Sequence, residues 1–320
     1  MKTIAARFYI LIFTLAFVLQ GCAITNHPKT KSTLGKPSSE AEMEGLIDQP
    51  GSVQLETISS ADWSVSLAGL LNLKRPAALQ AGLKDRDEPI KIFTHLLQHP
   101  KYGNFLVDTG VSQQLLDDPQ KFGWNWLLLK LIPMRSIKSQ NSTAQILERL
   151  HGKLSGVFFT HLHSDHISGL PDIAGDVPLY VGKGESSKKS FINIFTYGAT
   201  NKMLEGKQGL QEWDFVSGQH GNFDGVVDIF GDGAVFAIAV SGHTPGSTAY
   251  LVRTPKGPVL LTGDTSHTRW GWDHGVEPGD YTRDNEKNLQ SLLALKALVE
   301  RHPTIEFHPF LSIDAQDVHR

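Results

Sequence analysis

The sequence predicts a layered α/β fold, and three observations carry that expectation. Short apolar runs recur from about Gln54 onward, each bounded by Gly, Pro, Asp or Asn: Lys91–Thr94, Asn104–Val107, Gly156–Phe159, Val177–Val181, Val226–Phe230, Ala234–Val240, Thr248–Val252 and Pro258–Leu261. Runs of this length between turn residues read as strands. Helical stretches lie among and after them, and strands mixed with helices on this scale pack as layers around buried sheets. Finally, several of the runs end in a histidine or an aspartate, which puts reactive side chains at strand ends.

The N-terminus is built differently from the rest of the chain. Lys2 and Arg7 precede an apolar run from Phe8 to Leu19, and then come Gln20, Gly21 and Cys22. The run is too short to span a bilayer comfortably, so it reads as an export signal. Leu19-Gln20-Gly21-Cys22 resembles the lipobox of bacterial lipoproteins, which implies cleavage before Cys22, a lipid on Cys22 and membrane attachment through it. Ala23, rather than Asp, after the cysteine implies the outer membrane, facing the periplasm. Cys22 is the single cysteine of the chain, and with it lipidated none remains for a disulfide, a thiolate ligand or a cysteine nucleophile. Residues 22–54 are polar and rich in Lys, Ser, Pro and Gly, and read as a flexible tether. The expected division is therefore signal 1–21, tether 22–54 and folded domain 55–320.

Within the domain, Ser142–His151 begins polar and carries Ile146, Leu147 and Leu150, as an amphipathic helix does. Asn285–Arg301 is the clearest helix, with Asp284 as N-cap, leucines along one side and Pro303 beyond its end. Composition is ordinary for a globular chain: 320 residues, 40% hydrophobic, 20% charged and a formal net charge of −3. That balance argues against a nucleic-acid partner, which normally calls for a basic excess.

The chemistry concentrates in Thr160–Leu170, THLHSDHISGL. A helical zinc-protease motif needs histidines four apart on one face, whereas His161 and His163 are two apart. An extended turn can aim both at one point. The run Ala234–Val240 leads into His243, Pro258–Leu261 into Asp264, and Ile305–Phe307 into His308. If these ends converge, His161, His163, Asp165, His166, His243, Asp264 and His308 offer more ligands than one tetrahedral zinc takes. They suit two divalent metals, with zinc favoured by imidazole and carboxylate donors.

His161-Leu162-His163-Ser164-Asp165-His166 resembles the HxHxDH signature of the metallo-β-lactamase superfamily. The resemblance extends to Leu106–Gly110, the GHTPG turn at Gly242–Gly246, the Gly263-Asp264 pair and His308. Asp108, inside the first of these segments, reads as a turn residue rather than a ligand. The resemblance implies a four-layer αβ/βα sandwich with a binuclear site on one edge. It also implies that His161, His163 and His243 hold one metal, that Asp165, His166 and His308 hold the other, and that Asp264 bridges. The reaction implied is hydrolysis by a hydroxide shared between the metals, with Asp165 orienting it and carrying its proton to the leaving group.

Within that superfamily the order of motifs is similar to lactonases of the acyl-homoserine lactone type, which implies a small ester or lactone substrate. Phosphotriesterase, thioesterase and β-lactamase activities, or a metal-stabilised surface protein without activity, are the alternatives. The chain departs from the lactonase pattern at His267, where those enzymes often have a tyrosine three residues after the bridging aspartate. His267, Trp270 and Trp272, close to Asp264 in sequence, are expected to face the substrate, and Phe122–Leu129 is a second candidate lining segment.

Overall fold

The computed structural model describes residues 22–132, 134–190, 193–215 and 221–308. The expected signal at 1–21 lies outside the described residues. So does the end of the domain, 309–320.

Two sheets face each other. The first has eight strands, in the order β1 (Lys29–Lys31), β9 (Leu210–Glu212), β8 (Leu179–Val181), β7 (Leu154–Phe158), β5 (Gly103–Val107), β4 (Asp87–His99), β3 (Gln54–Ser66) and β6 (Lys138–Ser139). The second has six: β14 (Glu306–His308), β13 (Gly257–Leu261), β12 (Thr248–Thr254), β11 (Val235–Ala239), β10 (Val226–Asp228) and β2 (Lys36–Ser38). The predicted α/β class and its sandwich layering are present.

Strand alternation explains the layers. In β5, Phe105 and Val107 join the core between the sheets, while Leu106 joins the core beneath the helices of the first sheet. In β12, Tyr250 and Val252 face the first sheet, and Ala249 and Leu251 face the helix Asn285–Arg301. Successive side chains point to opposite faces, so continuous apolar runs are required where both faces are covered. Phe158 lies within stacking or tilted distance of Phe105, Trp213 and Tyr250 at the centre. Each such buried ring contributes about 1.5–3 kcal/mol by leaving water.

The predicted helices fall where caps place them. Asp284 accepts from Lys287 N to start Asn285–Arg301, and Ser142 with Gln145 forms a capping box at Thr143–Glu148.

The tether expected over 22–54 is corrected. Cys22 pairs with Ser190, β1 pairs with β9, and β2 pairs with β10. The helix Glu40–Ile47 then buries Met43 and Ile47 against the outer face of the second sheet. Its polar sequence reflects edge strands, whose outer sides face water, rather than an absence of structure. β3 is a further strand that no apolar run announces. It pairs along its length with β4, and the part of β4 from Asp87 to Thr94 pairs with β3 alone. The two strands thus reach past the sheet as an arm beside the site.

Candidate metal centre and its chamber

β5, β7, β11 and β13 each release their chains at the same edge of the sandwich. Asp108 leaves β5, the segment 159–163 leaves β7, His243 follows β11 and Asp264 follows β13. These ends bring together two groups of ligand atoms lying within 4.8 Å of one another: His161, His163, His243 and Asp264 in one, Asp165, His166 and Asp264 in the other. Asp264 belongs to both. Its Oδ2 lies 3.5 Å from His161 Nε2 and 3.2 Å from His243 Nε2, whereas Oδ1 lies 3.3 Å from His166 Nε2. One carboxylate therefore presents an oxygen to each half, as a bridging ligand must.

The loops are held from behind. Asp108 Oδ2 pairs with His166 Nδ1 at 3.0 Å, and Thr160 donates to both Asp108 oxygens. Asp108 has φ of +56°, a left-handed backbone rare outside glycine, and the surrounding hydrogen bonds keep it there. Expected from sequence to be only a turn residue, it orients the imidazole of a candidate ligand, His166. Glu185, fully enclosed, accepts from Leu162 N and from Thr244 Oγ1 and Gly246 N, clamping the HLH segment to the GHTPG turn. Asn288 accepts from His243 N and donates to Thr265 O, tying the turn to the segment after Asp264. Glu185 and Asn288 carry no motif, and only the fold brings them here.

Electrostatics suit cation binding. Burial pushes His161 and His243 below the ordinary imidazole range, so their rings are neutral donors. Burial would raise Asp264, yet His267 and His166 outweigh it and hold the carboxyl well below its usual range. His161 Nε2 and Asp264 Oδ1 are buried without a hydrogen-bond partner among the described residues. Polar atoms left so are costly unless something else satisfies them, and a divalent metal fits this donor set.

Six of the seven expected ligands converge. His308 does not join them: its Nε2 meets Glu306 Oε1 at 3.1 Å, and its ring lies edge-on to His95 at 6.3 Å. It sits at the end of β14, level with Leu261 of β13, short of the Asp264 turn.

A chamber of about 490 Å³ opens onto the centre, with His163, Asp165, Asp264 and His267 at its floor. Trp63, Val65, Leu70, Ile90 and Leu128 form its apolar wall. His267 lines the chamber, with Nε2 2.8 Å from Asp264 Oδ2. Trp270 and Trp272 are corrected. Two positions apart on the helix Arg269–His274, they point about 200° apart. Trp270 packs into the cluster behind Leu70 and stacks on His274, and Trp272 stacks on Phe307. Neither lines the chamber. Of Phe122–Leu129, Leu128 does line it, Trp124 is core and Trp126 is exposed. Trp63 and Tyr281 line it without any sequence signal, because neither stands near a ligand motif.

A buried cluster of imidazoles and carboxylates on one edge of a two-sheet sandwich defines a metal-dependent hydrolase. The chain belongs to the metallo-β-lactamase superfamily: residues 91–304 match its family description. Among curated proteins it is similar to the N-acyl homoserine lactonase AttM of Azorhizobium caulinodans, 28% identical over 219 residues, covering 68% of this chain and 80% of that one. Among solved structures it superposes on a mutant of B. thuringiensis AiiA, described with N-decanoyl-L-homoserine bound at its active site. The TM-score is 0.59 at 18% identity, with 85% of this chain and 98% of that one covered. AidC, described as a dizinc quorum-quenching lactonase, gives a TM-score of 0.52 at 14% identity, covering 89% and 96%. These structural likenesses show the shared fold.

Proposed function

We propose that the protein is a dinuclear zinc hydrolase that opens an acylated lactone ring, with the acyl chain held in the chamber. The observation that carries this reading is an apolar chamber whose floor is the set of candidate metal ligands. An ester carbonyl belongs at that floor, and a hydrocarbon chain belongs against Trp63, Val65, Ile90 and Leu128. The lactonases among its relatives support the same substrate class.

His161, His163 and His243 would hold one zinc, Asp165 and His166 the other, and Asp264 both. Bound there, the metals supply Lewis acidity and water activated near neutral pH. The chain's own residues do the rest. Tyr281 lines the chamber, and burial raises its phenol above the usual range, so it stays protonated and can donate to a substrate oxygen. Asp165 faces the chamber, where its carboxylate can accept a proton and pass it to the leaving alkoxide. His267, three residues after Asp264, presents an imidazole where many lactonases have a phenol.

Turnover of acyl-homoserine lactones, thioesters, phosphotriesters and β-lactams by the metal-loaded protein tests this reading, with Asp264→Ala as control. Lactone hydrolysis should exceed the others, and no lactone turnover above that control would refute it. The lipobox reading likewise makes the protein a lipoprotein of the outer membrane, proposed on Leu19–Cys22 and checked by mass spectrometry of the N-terminal peptide.

A further inference from the structure

Among the described residues seven large apolar side chains are exposed, and five of them gather around one feature. Trp126 (72% exposed) and Leu127 stand on the short helix Trp126–Leu131, whose Leu128 lines the chamber. Ile194 and Phe195 begin the helix Asn193–Leu204, whose Thr196 lines it too, and Tyr281 completes the rim. The turn just before the first helix packs on the second: a Cβ on Gly123, at φ +84°, would meet Ala199 Cα at 3.0 Å. An apolar collar of this kind around a cavity mouth is unusual for a surface that faces only water.

Cys22 lies beside the same collar. Its backbone exchanges hydrogen bonds with Ser190, and its carbonyl accepts from Asn193 Nδ2, at the start of the helix that carries Ile194. Ile24, two residues on, lines a second cleft that shares His163, Asn193 and Tyr281 with the chamber. Exposed Lys188 and Lys189 adjoin Ser190, and exposed Lys130 follows Trp126. Because Cys22 is itself paired to the body, a lipid carried there has no long spacer. It would hold the body flush against the bilayer, collar first.

We propose that the chamber mouth seats on an anionic phospholipid surface, with Trp126, Leu127 and Ile194 in the interfacial layer and the lysines at the headgroups. Apolar substrate then enters the chamber from the leaflet rather than from water. The entry route rests on the lactonase reading. The seat itself does not.

Residues 22–320 carrying Cys22→Ser, which lack the apolar run Phe8–Leu19 and cannot be lipidated, isolate the collar. This chain is mixed with vesicles of phosphatidylethanolamine and phosphatidylglycerol and followed by co-sedimentation and tryptophan emission. Binding with a blue shift, quenched by brominated acyl chains and weakened about tenfold or more by Trp126→Glu with Ile194→Ser, is the expected result. Circular dichroism and turnover of a short-chain lactone in vesicle-free buffer should be the same for both proteins, which separates lost seating from lost folding. A chain that stays in the supernatant, or a double variant that binds as well as its parent, overturns the proposal. So does a collar covered by something else: a dimer broken by the double substitution. Failure of the lactonase reading would appear separately, as absent lactone turnover with vesicle binding intact.

Discussion

The two halves of the metal centre are built unequally. The first half gathers three imidazoles and one oxygen of Asp264, and its loops are fixed from several sides: Thr282 meets His243 Nδ1, Asn288 holds the His243 backbone, and Glu185 clamps Leu162. The second half has Asp165, His166 and the other Asp264 oxygen, with Asp108 and Thr160 behind His166. It lacks His308. A complete and rigid donor set loses little freedom on binding, so the first half should load earlier and hold its ion more tightly.

Removing what the halves share should do most. Asp264→Ala should strip both ions and lower kcat/KM by roughly a thousandfold or more, about 4 kcal/mol of barrier; metal analysis beside kinetics checks it. A variant that kept two ions would break the view that Asp264 bridges. Next, Asp108→Asn should weaken the second ion most, by about 10–100-fold in affinity, because it meets His166 directly and reaches His161 only through Thr160. Competition with a chromogenic chelator resolves the two affinities, and equal weakening of both would erase the contrast. His308→Ala should leave the metal count unchanged, as its place beside Glu306 requires. Loss of one ion would instead put His308 into the second half, as the resemblance implies.

Away from the ions, Trp63→Ala should raise KM for long-chain lactones about tenfold and barely alter short ones, since it removes wall rather than floor. The smallest effect concerns His95, fully buried on β4 near His308 and held at about 3, first by burial and then by the His308 charge. The unfolded chain binds this proton nearer pH 6.5, so the neutral ring's contribution is complete above that pH and is lost as pH falls toward about 3. Urea melts at falling pH should show His95→Gln losing less stability than the parent over that window.

The ligand set was legible because its chemistry is local: HLHSDH, GHT and GD each place a donor directly after an apolar strand. Its supports were not. Asp108, Glu185 and Asn288 reach the centre only through pairings of distant segments, and nothing in their neighbours marks them. Closeness in sequence misled for Trp270 and Trp272, because helical spacing sends both rings into the core. Polarity misled for residues 22–54, since edge strands such as Lys29–Lys31 look like linker.

That same N-terminal stretch sets an order of assembly. Lys29–Lys31 closes onto Leu210–Glu212, and Lys36–Ser38 onto Val226–Asp228, so these early strands are partners for strands far along the chain. Contacts this distant along the chain form slowly. Until Lys29–Lys31 and Lys36–Ser38 return to cover them, two sheet edges stay open to self-association.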